Sequence, residues 1–194
     1  MNPSAVRVLF LGGSTRPGSS SELALRFCAA AAVDTGAVID VISGRDLMLP
    51  IYDTETADRS DGALRLVEAL RSADAVILSS PGYHGAMSGM IKNALDYVED
   101  LARDARPYLD GLPVGCIAVA YGWQATVSTL ASLRVTVHAL RGWPSPLGAT
   151  INASGGVFGP DGACTDESAR FQLETVARQV VDFAVLRKGS RTPG

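Results

Sequence analysis

Short runs of continuous apolar residues alternate along this chain with longer stretches in which apolar residues recur every three or four positions. That is the pattern of buried parallel strands separated by packed helices. Val6 to Leu11, apolar apart from Arg7 and closed by Gly12-Gly13, reads as the first strand. Ser21 to Val33 carries Leu23, Ala24, Phe27, Cys28 and Ala31 at helical spacing, with Gly36 as the stop signal. Ala37 to Ile42 is a second strand. A long loop through Pro50, Tyr52 and Asp53 then leads to a helix near Asp61 to Ser72. Ala75 to Ser79 is a third strand ended by Pro81-Gly82, and a helix from about Ser88 to Leu101 follows. Leu112 to Tyr121 is a fourth strand, with Pro113 tolerated at its start, and Gln124 to Leu140 a helix. Pro146 to Ile151 gives a short fifth strand, and a glycine-rich loop through Asp161 precedes a helix over Glu167 to Leu186. Five strand-then-helix units with right-handed crossovers predict a doubly wound parallel sheet. One domain is expected over residues 1–187, with Lys188 to Gly194 a frayed tail.

At 194 residues the chain can bury a substantial core. A formal charge of −3 leaves no basic surplus for a nucleic-acid backbone or an anionic membrane face. Three cysteines, Cys28, Cys116 and Cys164, with no Cys-x-x-Cys pair, argue against a disulfide framework and a structural zinc site, and point to a reducing cytoplasm. The start of the chain lacks the length and flanks of a signal peptide, and no apolar stretch approaches the roughly 18 residues of a membrane span. His84 and His138 are far apart and have no nearby Cys or Asp cluster, so no metal site is assigned.

Two loops carry the candidate chemistry. After the first strand, Gly12-Gly13-Ser14-Thr15-Arg16-Pro17-Gly18-Ser19-Ser20-Ser21-Glu22 brings five hydroxyls and one guanidinium to a helix N-terminus, where free N–H groups and the macrodipole favour a phosphate. Ser19 stands where a Walker A lysine belongs, and Ser14-Thr15 breaks the dinucleotide fingerprint. A terminal phosphate monoester suits the loop better than a pyrophosphate. Ser19 with Glu22 also reads as a capping box, but capping accounts for neither Arg16 nor the glycine pair. The second loop, Ser79-Ser80-Pro81-Gly82-Tyr83-His84-Gly85-Ala86-Met87-Ser88-Gly89, offers glycine backbone to a flat ligand and the ring faces of Tyr83 and His84. In strand order 2-1-3-4-5 both loops flank the crevice at the switch point.

Together these residues resemble the NAD(P)H-dependent FMN reductases of the flavodoxin-like superfamily. Gly13, Ser14, Arg16 and Ser19 match that family's Gly-Ser-x-Arg-x-x-Ser loop. Ser80, Pro81, Tyr83 and Gly85 match its second loop, and Ser88, Gly89, Lys92, Asn93 and Asp96 match the helix start that follows. Leu49-Pro50-Ile51-Tyr52-Asp53 is similar to the loop after strand two. The resemblance implies a flavodoxin-like three-layer sandwich with a five-stranded parallel sheet in order 2-1-3-4-5. FMN and NADPH (or NADH) are the implied cofactors. Ser14, Arg16, Ser19, Ser20 and Ser21 would hold the phosphate, while Pro81, Gly82, Tyr83, His84 and Gly85 would line the isoalloxazine edge. Gly122 and Trp123, where relatives often carry paired glycines, join the candidate cofactor-binding set. The cofactor carries the chemistry, so no general acid or base is nominated. The implied activity is NAD(P)H-dependent reduction of FMN, with electrons passed to a monooxygenase partner or a small acceptor. The alternatives are a quinone or azo-dye reductase that retains FMN, or a flavodoxin-type carrier. A homodimer or homotetramer is also implied, with Met87, Met90 and Ile91 at an interface.

Overall fold

The computed structural model describes residues 5–190. Strands β1 (Arg7–Gly12), β2 (Val38–Ser43), β3 (Ala75–Tyr83) and β5 (Pro113–Ala120) form a parallel sheet in the order β2-β1-β3-β5. Beyond β5 the edge position is filled by two short pieces, β6 (Trp143–Pro144) and β7 (Ala149–Asn152), each pairing with a different part of β5. The predicted order is therefore present, but the predicted fifth strand over Pro146 to Ile151 is split and shifted. Pro144 and Pro146 have no N–H to give a ladder, a defect tolerated at a sheet edge. The amide of Ser145 between them still bonds the Val114 carbonyl at 2.9 Å.

Alternate strand residues face opposite layers. Leu9, Leu11, Val76, Leu78, Val114 and Cys116 meet α2 (Asp61–Ser72), α3 (Gly89–Asp96) and α4 (Trp123–Ala139). Val8, Phe10, Ala75, Ile77, Ile117 and Val119 meet α1 (Ser20–Asp34) and α5 (Glu167–Ser190). This two-sided burial explains why the strands read as continuous apolar runs. No helix among the described residues is long and apolar enough to cross a membrane.

Three further expectations are corrected. The helix after β3 ends at Asp96 and tightens into a 3-10 segment over Tyr97–Leu101. Helix α5 continues to Ser190, because the Lys188 ammonium bonds Asp74 at 2.8 Å and the Ala5 carbonyl at 3.2 Å; residues 191–194 lie outside the described residues. Ile91 and Met87, expected at an interface, are 0% and 8% exposed in this chain's own core, and Met90 is half-buried against it.

Candidate active site

The β1–α1 loop ends in a capped helix. Ser19 is the N-cap, its hydroxyl accepting from the Glu22 amide at 3.3 Å, and Glu22 reaches back to the Gly18 amide at 2.7 Å. That is one residue short of a capping box, whose acceptor serves the N-cap amide itself. The Ser20 and Ser21 amides, at the first turn of the helix, have no hydrogen-bond partner among the described residues. The Arg16 side chain is exposed and makes no ion pair or hydrogen bond to them. Ser14 and Ser19 are 7% exposed and Ser21 3%, with the Ser19 and Ser21 oxygens 3.3 Å apart. Two free amides, a free guanidinium and clustered hydroxyls at the positive end of a 15-residue helix make a cradle for an anion.

The glycine pair has a different explanation from the one its sequence suggests. A Cβ on Gly12 would lie 2.8 Å from both Leu25 and Ser43, and one on Gly13 would overlap Ile91 and the Ser88 hydroxyl. These glycines let α1 and α3 close on the end of β1; they form the floor of the loop, not a contact surface for a ligand.

Strand β3 runs on past its expected end through Pro81, Gly82 and Tyr83, then folds back antiparallel onto β4 (Ala86–Met87). The two turn residues, His84 and Gly85, have φ of +50° and +87°. Positive φ at both central positions is the signature of a type I′ hairpin turn. The hairpin is anchored from below: the Ser80 hydroxyl donates to the Pro81 carbonyl at 2.9 Å and accepts from the Ser88 amide at 2.8 Å. It is anchored laterally as well, since a Cβ on Gly82 would come within 2.5 Å of the Thr129 hydroxyl on α4.

A cavity of about 250 Å³ joins the two loops at the carboxyl ends of the strands. Ser14, Arg16, Ser19, Ser20, Ser21, Pro81, Gly82 and Tyr83 line it, together with Val119, Ala120, Tyr121 and Ala153. His84, Gly85, Gly122 and Trp123 are not brought into this lining. The first two form the hairpin tip. Gly122, at φ +125°, turns the chain from β5 into α4, and Trp123 opens that helix 60% exposed. The four added residues come from the end of β5, from Tyr121 just after it and from the turn after β7, elements that only the sheet topology brings here. Asn152 ties these two turns together by accepting from the Gly122 amide at 3.0 Å and the Ser154 amide at 3.1 Å. An Asn closing a strand is the one local signal that marks this turn.

The cavity contains no buried ionisable cluster. The three free thiols are chemically quiet: burial pushes Cys28 and Cys116 up to about 12 and raises Cys164 as well.

A model of the family described as NADPH-dependent FMN reductase matches residues 6–155, more than half of the chain. The chain belongs to this family. The matched span covers the strands and loops that build the cavity wall, up to Ala153. Among curated proteins, the NADPH azoreductase of Bacillus sp. (strain OY1-2) is 34% identical over 90 residues, 46% of this chain and 47% of that protein. The FMN-dependent NADPH-azoreductase of Staphylococcus aureus is 35% identical over 120 residues, 62% of this chain and 59% of that one. The chain thus spans about half the length of the curated relatives it matches. A solved flavoenzyme, an NAD(P)H:(acceptor) oxidoreductase from Paracoccus denitrificans, shares the fold with a TM-score of 0.77 at 24% identity, over 94% of this chain and 98% of that one.

The residues present fit FMN. Its phosphate requires several N–H and hydroxyl donors plus a cation at one end of the site, and the free Ser20 and Ser21 amides with Arg16 supply them. Its ring requires an apolar slot with backbone groups at the edge, and Pro81, Gly82, Val119 and Ala120 form such walls.

Proposed function

We propose that this protein is an NAD(P)H-dependent oxidoreductase that retains FMN in the cavity between the two loops and reduces small aromatic acceptors such as azo compounds or quinones. The observation that carries the proposal is the single cavity in which a donor-rich, unpaired helix N-terminus meets a glycine-containing hairpin wall. Relatives named as azoreductases support the acceptor class over transfer of reduced flavin to a monooxygenase.

A flavin bound there supplies the two-electron chemistry between a reduced nicotinamide and the acceptor. The chain's part is binding and orientation. Arg16, Ser14, Ser19 and the first-turn amides of α1 would hold the phosphate and so orient the cofactor in the cavity. The anchored β3–β4 hairpin would present its backbone groups to the edge of a bound flavin ring. Tyr83 and Tyr121 are 54% and 73% exposed at this cavity, and offer ring faces to a flat acceptor or a nicotinamide.

The test is retention followed by turnover. The purified chain is loaded with FMN, desalted, and mixed anaerobically with NADPH and then with an azo dye. Retained flavin that bleaches with NADPH and recovers its colour as the dye is consumed is the expected result. Flavin lost on desalting, with turnover only in excess free FMN, would favour the hand-off reading. Retained flavin that NADPH and NADH both fail to bleach would leave a carrier.

A further inference from the structure

The outer edge of the sheet carries a second groove, of about 360 Å³, between the segment from Trp143 to Pro146 and helix α5. β6 pairs with Pro113 and Val114 at the start of β5, whereas the candidate active site lies at Val119 and Ala120, so the two are about 20 Å apart along the strand. One wall of the groove is a stacked pair of rings: Trp143 and Phe183 have centroids 5.2 Å apart and planes 27° from parallel. Trp143 is nonetheless 58% exposed, and Leu186 in the same groove 71%. Aromatic and aliphatic surface gathered in a concave site marks a place where something binds.

The polar groups of the groove decide what fits. The Trp143 and Ser145 amides turn inward, to the Leu112 and Val114 carbonyls at 2.7 and 2.9 Å. The outward positions are therefore Pro144 and Pro146, which have no N–H, so a further strand cannot pair along this edge. The Leu147 amide is taken by the Gln179 side-chain oxygen at 2.9 Å, and the Ser145 hydroxyl by the Leu147 carbonyl at 2.8 Å. Asp182 is the one charged residue of the lining, and its carboxylate, exposed on α5, has no ion pair or hydrogen bond among the described residues. The neighbouring Arg187 is turned to the Asp110 carbonyl at 3.0 Å, and Arg178 stands outside the lining. The adjoining cavity, which Trp143 also borders, holds Asp110 and Arg141, one charge of each sign, so Asp182 sets the sign of this groove.

We propose that this groove binds a flat aromatic cation, with its rings against the wall of Trp143 and Phe183 and its charge at Asp182. Each part of such a ligand has its counterpart: the rings extend an existing stack, the positive charge is drawn to the aromatic faces and the carboxylate together, and its N–H groups donate to the Asp182 oxygens. The volume falls in the range of small-molecule sites, about 300–1,000 Å³. The preference is opposite in sign to that of the first cavity, where Arg16 and the α1 amides favour an anion. The chain thus carries two sites of opposite charge at opposite ends of β5, and the second does not rest on what the first one holds.

The experiment uses the full chain with FMN added and two probes: proflavine, a flat three-ring cation, and acridine, the same ring system uncharged at slightly alkaline pH. The chain has two tryptophans, so the indole N–H groups give two NMR signals, and the one missing from Trp143→Phe belongs to Trp143. Proflavine is expected to shift the Trp143 signal saturably and leave that of Trp123 in place, with acridine binding about fivefold more weakly. Asp182→Asn changes an exposed side chain with no bond to lose, so the fold is kept; it is expected to weaken proflavine about fivefold and leave acridine unchanged. A probe that shifts the Trp123 signal alone, or neither signal, would overturn the proposal. So would an Asp182→Asn variant that binds proflavine as the wild type does or loses both probes equally. A Trp143 signal that moves with protein concentration alone and ignores both probes would put another copy of the chain in the groove, and the proposal would fall with it.

Discussion

Two loops on the sheet's carboxyl side make opposite use of their polar groups. In the β1–α1 loop, Arg16 and the Ser20 and Ser21 amides are left without partners among the described residues. In the loop from Met48 to Ser60, the corresponding arginine is saturated. Arg59 grips Asp100 with two bonds of 2.8 and 2.9 Å, donates to the Asp53 and Thr56 carbonyls, and lies over the Tyr52 and Tyr97 rings at 4.8 and 5.6 Å. Asn93 completes the clasp, accepting from the Tyr52 amide at 2.9 Å and donating to the Pro50 carbonyl at 2.9 Å. The Met48–Ser60 loop holds more charge, and its one guanidinium is spent on structure. The first is built to receive something. What distinguishes a binding loop here is the donors that folding leaves unused, not the number of polar residues.

If that contrast is right, mutations in the two loops should separate stability from affinity. The largest effect is expected at Asp100. Asp100→Asn removes the charge from a mostly buried, doubly bonded pair and should cost about 3 kcal/mol of stability in chemical denaturation. FMN affinity measured well below the melting temperature should stay within twofold. The same pair sets an acid dependence. Bonds from Arg59 hold the Asp100 carboxyl below its ordinary range, so its contribution is complete above about pH 4 and is lost as the pH falls further and the carboxyl protonates. The drop in melting temperature between pH 5 and pH 3 should therefore be smaller in Asp100→Asn than in the wild type. An equal drop would place the acid sensitivity elsewhere.

Next in size is Arg16→Ala. No described group loses a partner, so stability should change by less than about 0.5 kcal/mol. FMN affinity should fall about 30-fold, the worth of one charge-assisted bond to a phosphate, whereas riboflavin, which lacks the phosphate, should bind as before. Equal losses for both ligands would remove Arg16 from the phosphate site.

Local patterns made the fold legible. Buried strands announce themselves as apolar runs, and the β1–α1 loop, being contiguous, could be recognised as a donor-rich helix start from Ser19 to Glu22. What escaped depends on distant partners. Val119, Ala120, Tyr121 and Ala153 reach the cavity because β7 pairs with β5, a fact that no local window contains. Arg59 and the carboxylate it grips, Asp100, are 41 residues apart, so no local window contains the pair. Gly12 and Gly13 suggest a ligand loop when seen beside serines, yet Leu25 and Ile91 are what require them. The same holds for Asn93, whose place in the family motif reflects pinning of the Leu49–Tyr52 backbone, while Lys92 and Asp96 pair on the surface.

The finest test of the comparison concerns a residue that serves both purposes. Glu22 stabilises the helix start through the Gly18 amide and the Arg26 side chain, at 2.7 and 2.6 Å, and it also places a negative charge beside the cradle that is to receive a phosphate. These roles oppose each other. Glu22→Gln keeps the shape and an acceptor oxygen but removes the charge, so the helix should lose about 0.5 kcal/mol from its favourable dipole interaction. FMN should gain a comparable amount, binding about twofold tighter, with the gain vanishing at high salt and absent for riboflavin. Titration of the variant at low and high ionic strength reads both signs. If affinity falls with stability, the loop's order matters more to the ligand than its charge, and the donors left free in the first loop are then less a prepared site than the untied end of a helix.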